Sequence, residues 1–149
     1  MWIALWMALT ATAEPVSCCA TGDLNTVMSD YSRLVKALAK PGQARPSNRY
    51  LYAMAPVLKR IPTGSMPEDS ARALAAFREA HKRLLNADDD ALRADLDALT
   101  TPLHVLAVND QTGAKSWVLA TCEGKGSWLQ AAGTKPLPVY ADCKATLEE

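Results

Sequence analysis

Four stretches of the chain repeat apolar residues at spacings of three and four, the pattern of helices that each bury one face. The first stretch is Leu24, Val27, Met28, Tyr31, Leu34, Val35 and Leu38. An extended lead-in over 14–22 precedes it, and Pro41-Gly42 stops it. The second covers 46–61, with Tyr50, Ala53, Met54, Val57, Leu58 and Ile61 facing inward. Pro56 sits inside this pattern and is expected to kink or divide the helix, because proline lacks the N–H and crowds the preceding turn. Pro62-Thr63-Gly64 ends it. The third opens on Ser65 and Glu68 at capping-box spacing, with Pro67 in the first turn, and runs to Asn86. Leu74, Phe77, His81 and Leu84 form its inner face, and Arg72, Arg78, Lys82 and Arg83 its solvated outer face. Ala87-Asp88-Asp89-Asp90 is an acidic turn that caps the fourth helix. That helix carries Leu92, Leu96, Leu99 and Leu103, and Pro102 limits its length. Short connections make neighbouring helices antiparallel.

Beyond Pro102 the pattern changes. His104-Val105-Leu106-Ala107-Val108 is a short unbroken apolar run, Asn109 to Gly113 is turn chemistry, and Lys115 to Ala120 is a second run, so a β-hairpin is expected here. Cys122, Gly124-Lys125-Gly126-Ser127, Trp128-Leu129-Gln130 and a proline-punctuated stretch to Tyr140 and Cys143 read as an irregular tail. The expected fold is therefore mainly α: an antiparallel bundle of about four helices with a small C-terminal β-hairpin and an irregular tail, forming one domain over 14–149.

The first 13 residues, MWIALWMALTATA, follow none of these patterns. They carry no charge, their apolar core is too short to span a bilayer, and Ala11-Thr12-Ala13 is a small-x-small cleavage pattern. They read as a signal peptide with the mature chain starting at Glu14, and so as export to the periplasm; the usual charged segment before the apolar run is absent. Lipid anchoring at Cys18 is disfavoured by Pro15 and Glu14.

Charge narrows the partner class. Sixteen Lys and Arg balance sixteen Asp and Glu over 149 residues, which argues against a nucleic-acid binder and a polybasic membrane-surface protein. No membrane span is expected in the mature chain. Four cysteines, Cys18, Cys19, Cys122 and Cys143, fit disulfides in an oxidising compartment. Bridging the adjacent Cys18 and Cys19 would strain the ring, so that pairing is discounted. The two remaining pairings both tie the N-terminus to the C-terminal quarter, each closing a loop of on the order of 100 residues worth roughly 4–5 kcal/mol in the chain-entropy model.

Candidate chemistry is sparse. Cys18, Cys19, His104, Cys122 and Cys143 are the candidate soft-metal ligands, with Cu(I) the cofactor such donors favour. No CxxC, HxxxH or MxxM spacing groups them, and the residues alone favour disulfides, with Met28 and Met54 filling the core. His81 sits on an apolar stripe and reads as a core histidine. Trp117, Trp128 and Tyr140 are candidate binding residues, with hairpin core as the plainer role for the tryptophans. No GxSxG, phosphate-cradling glycine loop or calcium-loop pattern is present, and the chain reads as a non-enzyme.

Several of these segments keep a recognisable order: Asp30 to Leu38, then Ala91-Leu92-Arg93 and Leu99-Thr100, then Cys122, Trp128-Leu129-Gln130, Pro138-Val139-Tyr140 and Cys143. This order resembles the periplasmic domain of unknown function appended to, or encoded beside, membrane-fusion components of copper and silver efflux pumps. The chain departs from that pattern at Glu123-Gly124, where Pro-Met follows the first cysteine in the family. It has Pro-Val-Tyr for Asn-Pro-Tyr, lacks a Met near the final cysteine, and adds Cys18 and Cys19. The resemblance implies an accessory protein that handles Cu(I) or Ag(I) or docks on an efflux component. It also implies a direct Cys122–Cys143 bridge, leaving Cys18 and Cys19 as a free vicinal pair. The competing expectation is a disulfide-pinned periplasmic interaction protein, of inhibitor or immunity type, without metal or catalysis.

Overall fold

A computed structural model describes residues 21–40, 42–62, 64, 66–109 and 117–148. The expected signal segment, Cys18, Cys19, Pro41, Thr63, Ser65 and the expected turn over 110–113 lie outside the described residues. Helices α1 (Thr21–Leu38), α2 (Arg49–Arg60), α3 (Glu68–Leu84), α4 (Asp89–Ala94) and α5 (Asp97–Asn109) are followed by strands β1 (Trp117–Cys122), β2 (Gly126–Ala131) and β3 (Thr146–Glu148). The molecule is mainly helical with a small antiparallel sheet near its C-terminus. No helix of the described residues is long and apolar enough to cross a membrane.

The helical stripes become the core. All seven residues of the first stripe are buried, and α1 packs against α2. In α2 the buried positions are Leu51, Met54, Val57 and Leu58. Met54, Val57, Leu58 and Ile61 face inward as expected, while Tyr50 is only half-buried, Ala53 is exposed and Leu51 joins the buried face. Pro56 neither kinks the helix into two elements nor ends it: α2 is continuous from Arg49 to Arg60 with Pro56 exposed. Helix α3 buries Leu74, Phe77, His81 and Leu84 as expected. Its N-cap position is occupied by Pro67, which offers no side-chain cap, so Pro67 precedes the helix instead of lying in its first turn. Asp88 caps α4 by accepting from the Ala91 N–H at 2.8 Å.

Two expectations fail after Leu92. The fourth stripe is divided between α4 and α5 at Asp95-Leu96, although Leu92, Leu96, Leu99 and Leu103 all remain buried. Pro102 does not limit the helix, and His104–Val108 is not a strand; both belong to α5, which reaches Asn109. Proline here forgoes only the bond to the Ala98 carbonyl, while Leu99, Leu103 and Leu106 form a helical stripe on the α5 that packs against α3. A short apolar run does not by itself distinguish strand from buried helix.

The hairpin consequently forms later, from part of the expected irregular tail. Strand β1 pairs with β2 from Trp117↔Ala131 to Cys122↔Gly126 around a turn at Glu123-Gly124-Lys125. Gly124 holds φ +77°, a left-handed conformation that favours glycine. The last segment returns as β3 on the other side of β1, giving the order β2-β1-β3. Helix α5 and, to a smaller extent, α1 back onto β2.

Candidate functional site

Strand alternation decides the fate of the two candidate tryptophans. Trp128 pairs with Ala120, three residues along from Trp117, so the two indoles stand on opposite faces of the sheet and form no common binding face. Trp128 is 0% exposed, donates Nε1–H to Gln130 Oε1 at 3.0 Å, and packs 6.1 Å from the Tyr140 ring. It is core. Trp117 is half-buried and lines an open groove with Asn25, Ser29, Ser32 and Lys36 of α1.

A polar seam beside Trp128 locks the helices to the sheet. Thr100 Oγ1 donates to the Ser127 carbonyl at 3.0 Å, so the Tyr31 hydroxyl donates to Thr100 at 2.7 Å and accepts from the Leu129 N–H at 3.0 Å. Burial pushes the Tyr31 phenol well above its ordinary value, against the opposing effect of these hydrogen bonds. On the neighbouring strand position, Asp97 Oδ1 accepts from the Ser127 N–H at 2.8 Å.

Cys122 and Cys143 are bonded to each other. This corrects the expected cross-chain pairings and matches the bridge implied by the resemblance. A cysteine at the end of β1 finds a local partner because the chain returns alongside it after β2. The separation is 21 residues, so the bridge stabilises by roughly 3 kcal/mol in the chain-entropy model, less than the long loops would give. The sulfurs of Cys122 and Cys143 are therefore not thiolate ligands in this state. His104 is half-buried in α5, and Cys18 and Cys19 lie outside the described residues. Among the described residues no group of three or more His, Cys, Asp and Glu is placed to hold a metal ion.

The bridge holds the tail against the end of α1 and creates a cleft of about 280 Å³. Leu38 and Val139 supply apolar wall, and Arg93, Lys125, Asp90 and Asp142 supply a charged rim. Hydrogen bonds and ion pairs link the rim groups, with the Asp90 and Asp142 side chains largely exposed. Arg93 donates Nε–H and Nη2–H to the Leu38 carbonyl at 3.2 and 2.7 Å, capping the end of α1, and pairs with Asp90 at 3.2 Å. Lys125 Nζ donates to Asp142 at 3.0 Å, and this bond holds the Asp142 carboxyl below the usual carboxylate range. Tyr140 donates its hydroxyl to the Arg93 carbonyl at 2.8 Å, tying the tail to α4. Burial raises the Tyr140 phenol, the Asp97 charge adds to this, and Arg93 opposes it. Gly126 is required by this arrangement, because a Cβ there would fall 2.7 Å from Tyr140 Oη.

Tyr140 thus reaches the stapled cleft, while Trp117 lines the separate groove on α1; Arg93 and Lys125 went unrecognised. Arg93 sits at i+3 from Asp90, an ordinary surface pair by spacing, and its contact with Leu38 crosses 55 residues. No family model matches the chain, and no curated protein or solved structure was found to match it.

Proposed function

We propose that this chain is an exported, disulfide-pinned interaction protein that docks a protein partner at the cleft between the end of α1, α4 and the stapled tail. The observation that carries this reading is the cleft's construction: apolar wall from Leu38 and Val139, a charged rim anchored by Arg93 on the Leu38 carbonyl, and a tail held by Cys122–Cys143. An apolar pocket inside a polar rim suits an anchoring side chain, and pre-ordering of the tail lowers the entropy cost of docking. A structural disulfide fits an oxidising compartment, as the Ala11-Thr12-Ala13 pattern does. A photo-crosslinking amino acid placed at Ala141, on the cleft, and at the exposed Glu79 of α3 tests the reading in the exporting cell. A discrete adduct from position 141 and none from 79 is expected. No adduct from 141, or equal adducts from both, contradicts it.

The bridge also favours a second reading. It is the pairing implied by the resemblance to the copper and silver efflux-associated domain, and it takes from Cys18 and Cys19 both long-range partners. In this reading the vicinal pair supplies thiolates for Cu(I) or Ag(I) on an efflux accessory protein. Thiol titration of the exported protein, followed by Cu(I) competition against a chromogenic chelator, separates the two. Two free thiols and Cu(I) binding abolished by Cys18→Ser with Cys19→Ser support the metal reading; no free thiol contradicts it.

A further inference from the structure

On this neutral chain several cationic side chains gather in one hollow. Arg33, Lys36 and Lys40 recur along the exposed side of α1 and beyond its end, and Arg49 at the start of α2 completes a hollow of about 280 Å³ with Gln43 and Tyr50. Among the described residues no acidic side chain lines it. Arg33 pairs with the buried Asp30 at 2.9 Å, but Lys36, Lys40 and Arg49 have no acidic partner among the described residues.

Arg49 is held rigid. Its Nη1 donates to the Arg45 and Pro46 carbonyls at 3.0 Å each, and its Nη2 donates to Gln43 Oε1 at 3.3 Å and Tyr50 Oη at 2.9 Å. The guanidinium carbon stands 4.5 Å from the Tyr50 ring centroid. These bonds occupy the Nη donors, so Arg49 acts as a fixed positive field and not as a fork for one oxyanion. Lys36 is an exposed point charge on α1, and Lys40 another in the bend just beyond its end.

We propose that this hollow binds an acidic segment of a protein partner; the proposal rests on the docking reading above and names the partner's chemistry. The arrangement selects the class. Arg33, Lys36, Lys40 and Arg49 are spread around the hollow, so its positive field extends over several residues of a bound chain, and the Nη donors of Arg49 are already taken by internal bonds. The hollow adjoins the stapled cleft at the end of α1, since Ala37 and Lys40 line one and Leu38 and Ala39 the other. One partner strand can therefore engage both.

The test uses the full exported chain and a fluorescein-labelled hexaglutamate peptide, read by anisotropy, with hexaglutamine as the neutral control. Hexaglutamate binds, and its affinity falls steeply with added salt, while hexaglutamine does not bind. Lys36→Glu with Lys40→Glu weakens binding tenfold or more, and Lys36→Gln with Lys40→Gln weakens it by a smaller factor without reversing charge near a helix end. Arg72→Glu with Lys82→Glu on α3 makes the same change in net charge and leaves affinity within twofold. Equal losses from the α1 and α3 pairs, absence of hexaglutamate binding, or inorganic phosphate competing at the peptide's own concentration overturns the proposal. So does binding to anionic-lipid vesicles in place of peptide. An adduct from Ala141 with no peptide binding ends this inference alone. Peptide binding without any adduct upholds the hollow and contradicts docking at the cleft.

Discussion

At the scale of single residues, hydrogen-bond geometry makes the sharpest demands. Tyr31 both accepts from Leu129 and donates to Thr100 inside the core. Tyr31→Phe keeps the ring and leaves the buried Leu129 N–H unpaired, so it is expected to cost about 1–3 kcal/mol in urea unfolding. The same phenol sets an alkaline limit. Its folded value, like that of Tyr140, is raised by burial above the ordinary 10.0. Below that value both folded and unfolded chains keep their protons. Above it the unfolded chain releases protons that the folded chain retains, so stability falls as pH rises through and beyond about 10. The Tyr31→Phe curve is expected to fall less steeply there; a slope equal to the parent's counts against the buried phenol. Gly126 meets a different constraint. Gly126→Ala places a Cβ against Tyr140 Oη and is expected to cost about 1–3 kcal/mol, with Tyr140→Phe reducing that cost in the double mutant because the clashing atom is gone. Simple additivity of the two substitutions would show that the tail relaxes without strain. None of these residues announces its role in the sequence. Tyr31 reads as one stripe residue among seven, and Arg78, placed by periodicity on a solvated face, in fact donates to the Leu58 and Ile61 carbonyls at the end of α2.

At the scale of elements, legibility follows the length of the repeat. Helices α1 and α3 each offer four or more stripe positions, and their buried faces fall where the spacing puts them. Asp88 caps α4 because a short acidic side chain before an apolar stripe has few other roles. The segment His104–Val108 after Pro102 is only five residues long, which a strand and a helix accommodate equally. Tertiary packing decides for the helix, since Leu103 and Leu106 continue the Leu99 stripe onto α3. This distinction is measurable. In a strand, residues 106 and 108 share a face; in α5 Leu106 is 1% exposed and Val108 69%. Leu106→Ala is expected to cost about 2–5 kcal/mol and Val108→Ser under about 0.5 kcal/mol. Comparable costs would restore the strand. The true hairpin was obscured by its turn: Glu123-Gly124-Lys125 runs on into Gly126-Ser127, which reads as loop until β2 supplies the partner.

At the scale of the whole molecule, the central claim is that the tail is stapled locally. The peptide from Cys122 to Cys143 contains β2, Val139 and Tyr140, and through them it covers the core and walls the cleft. Local composition favoured long bridges, because two adjacent cysteines at one end have no sensible neighbour there; the return of the chain beside β1 supplies the local partner instead. Replacing both Cys122 and Cys143 by Ser is expected to lower stability by roughly 3 kcal/mol and to loosen the cleft, read by hydrogen exchange over 137–143, while the α1 and α3 amides respond only to the global change. Uniform loss of protection would mean that the tail is not a separate unit. Non-reducing peptide mapping of the protein tests the staple most directly. The account predicts a Cys122–Cys143 linked peptide as the dominant species; Cys122 or Cys143 recovered in a bridge to Cys18 or Cys19 would contradict it.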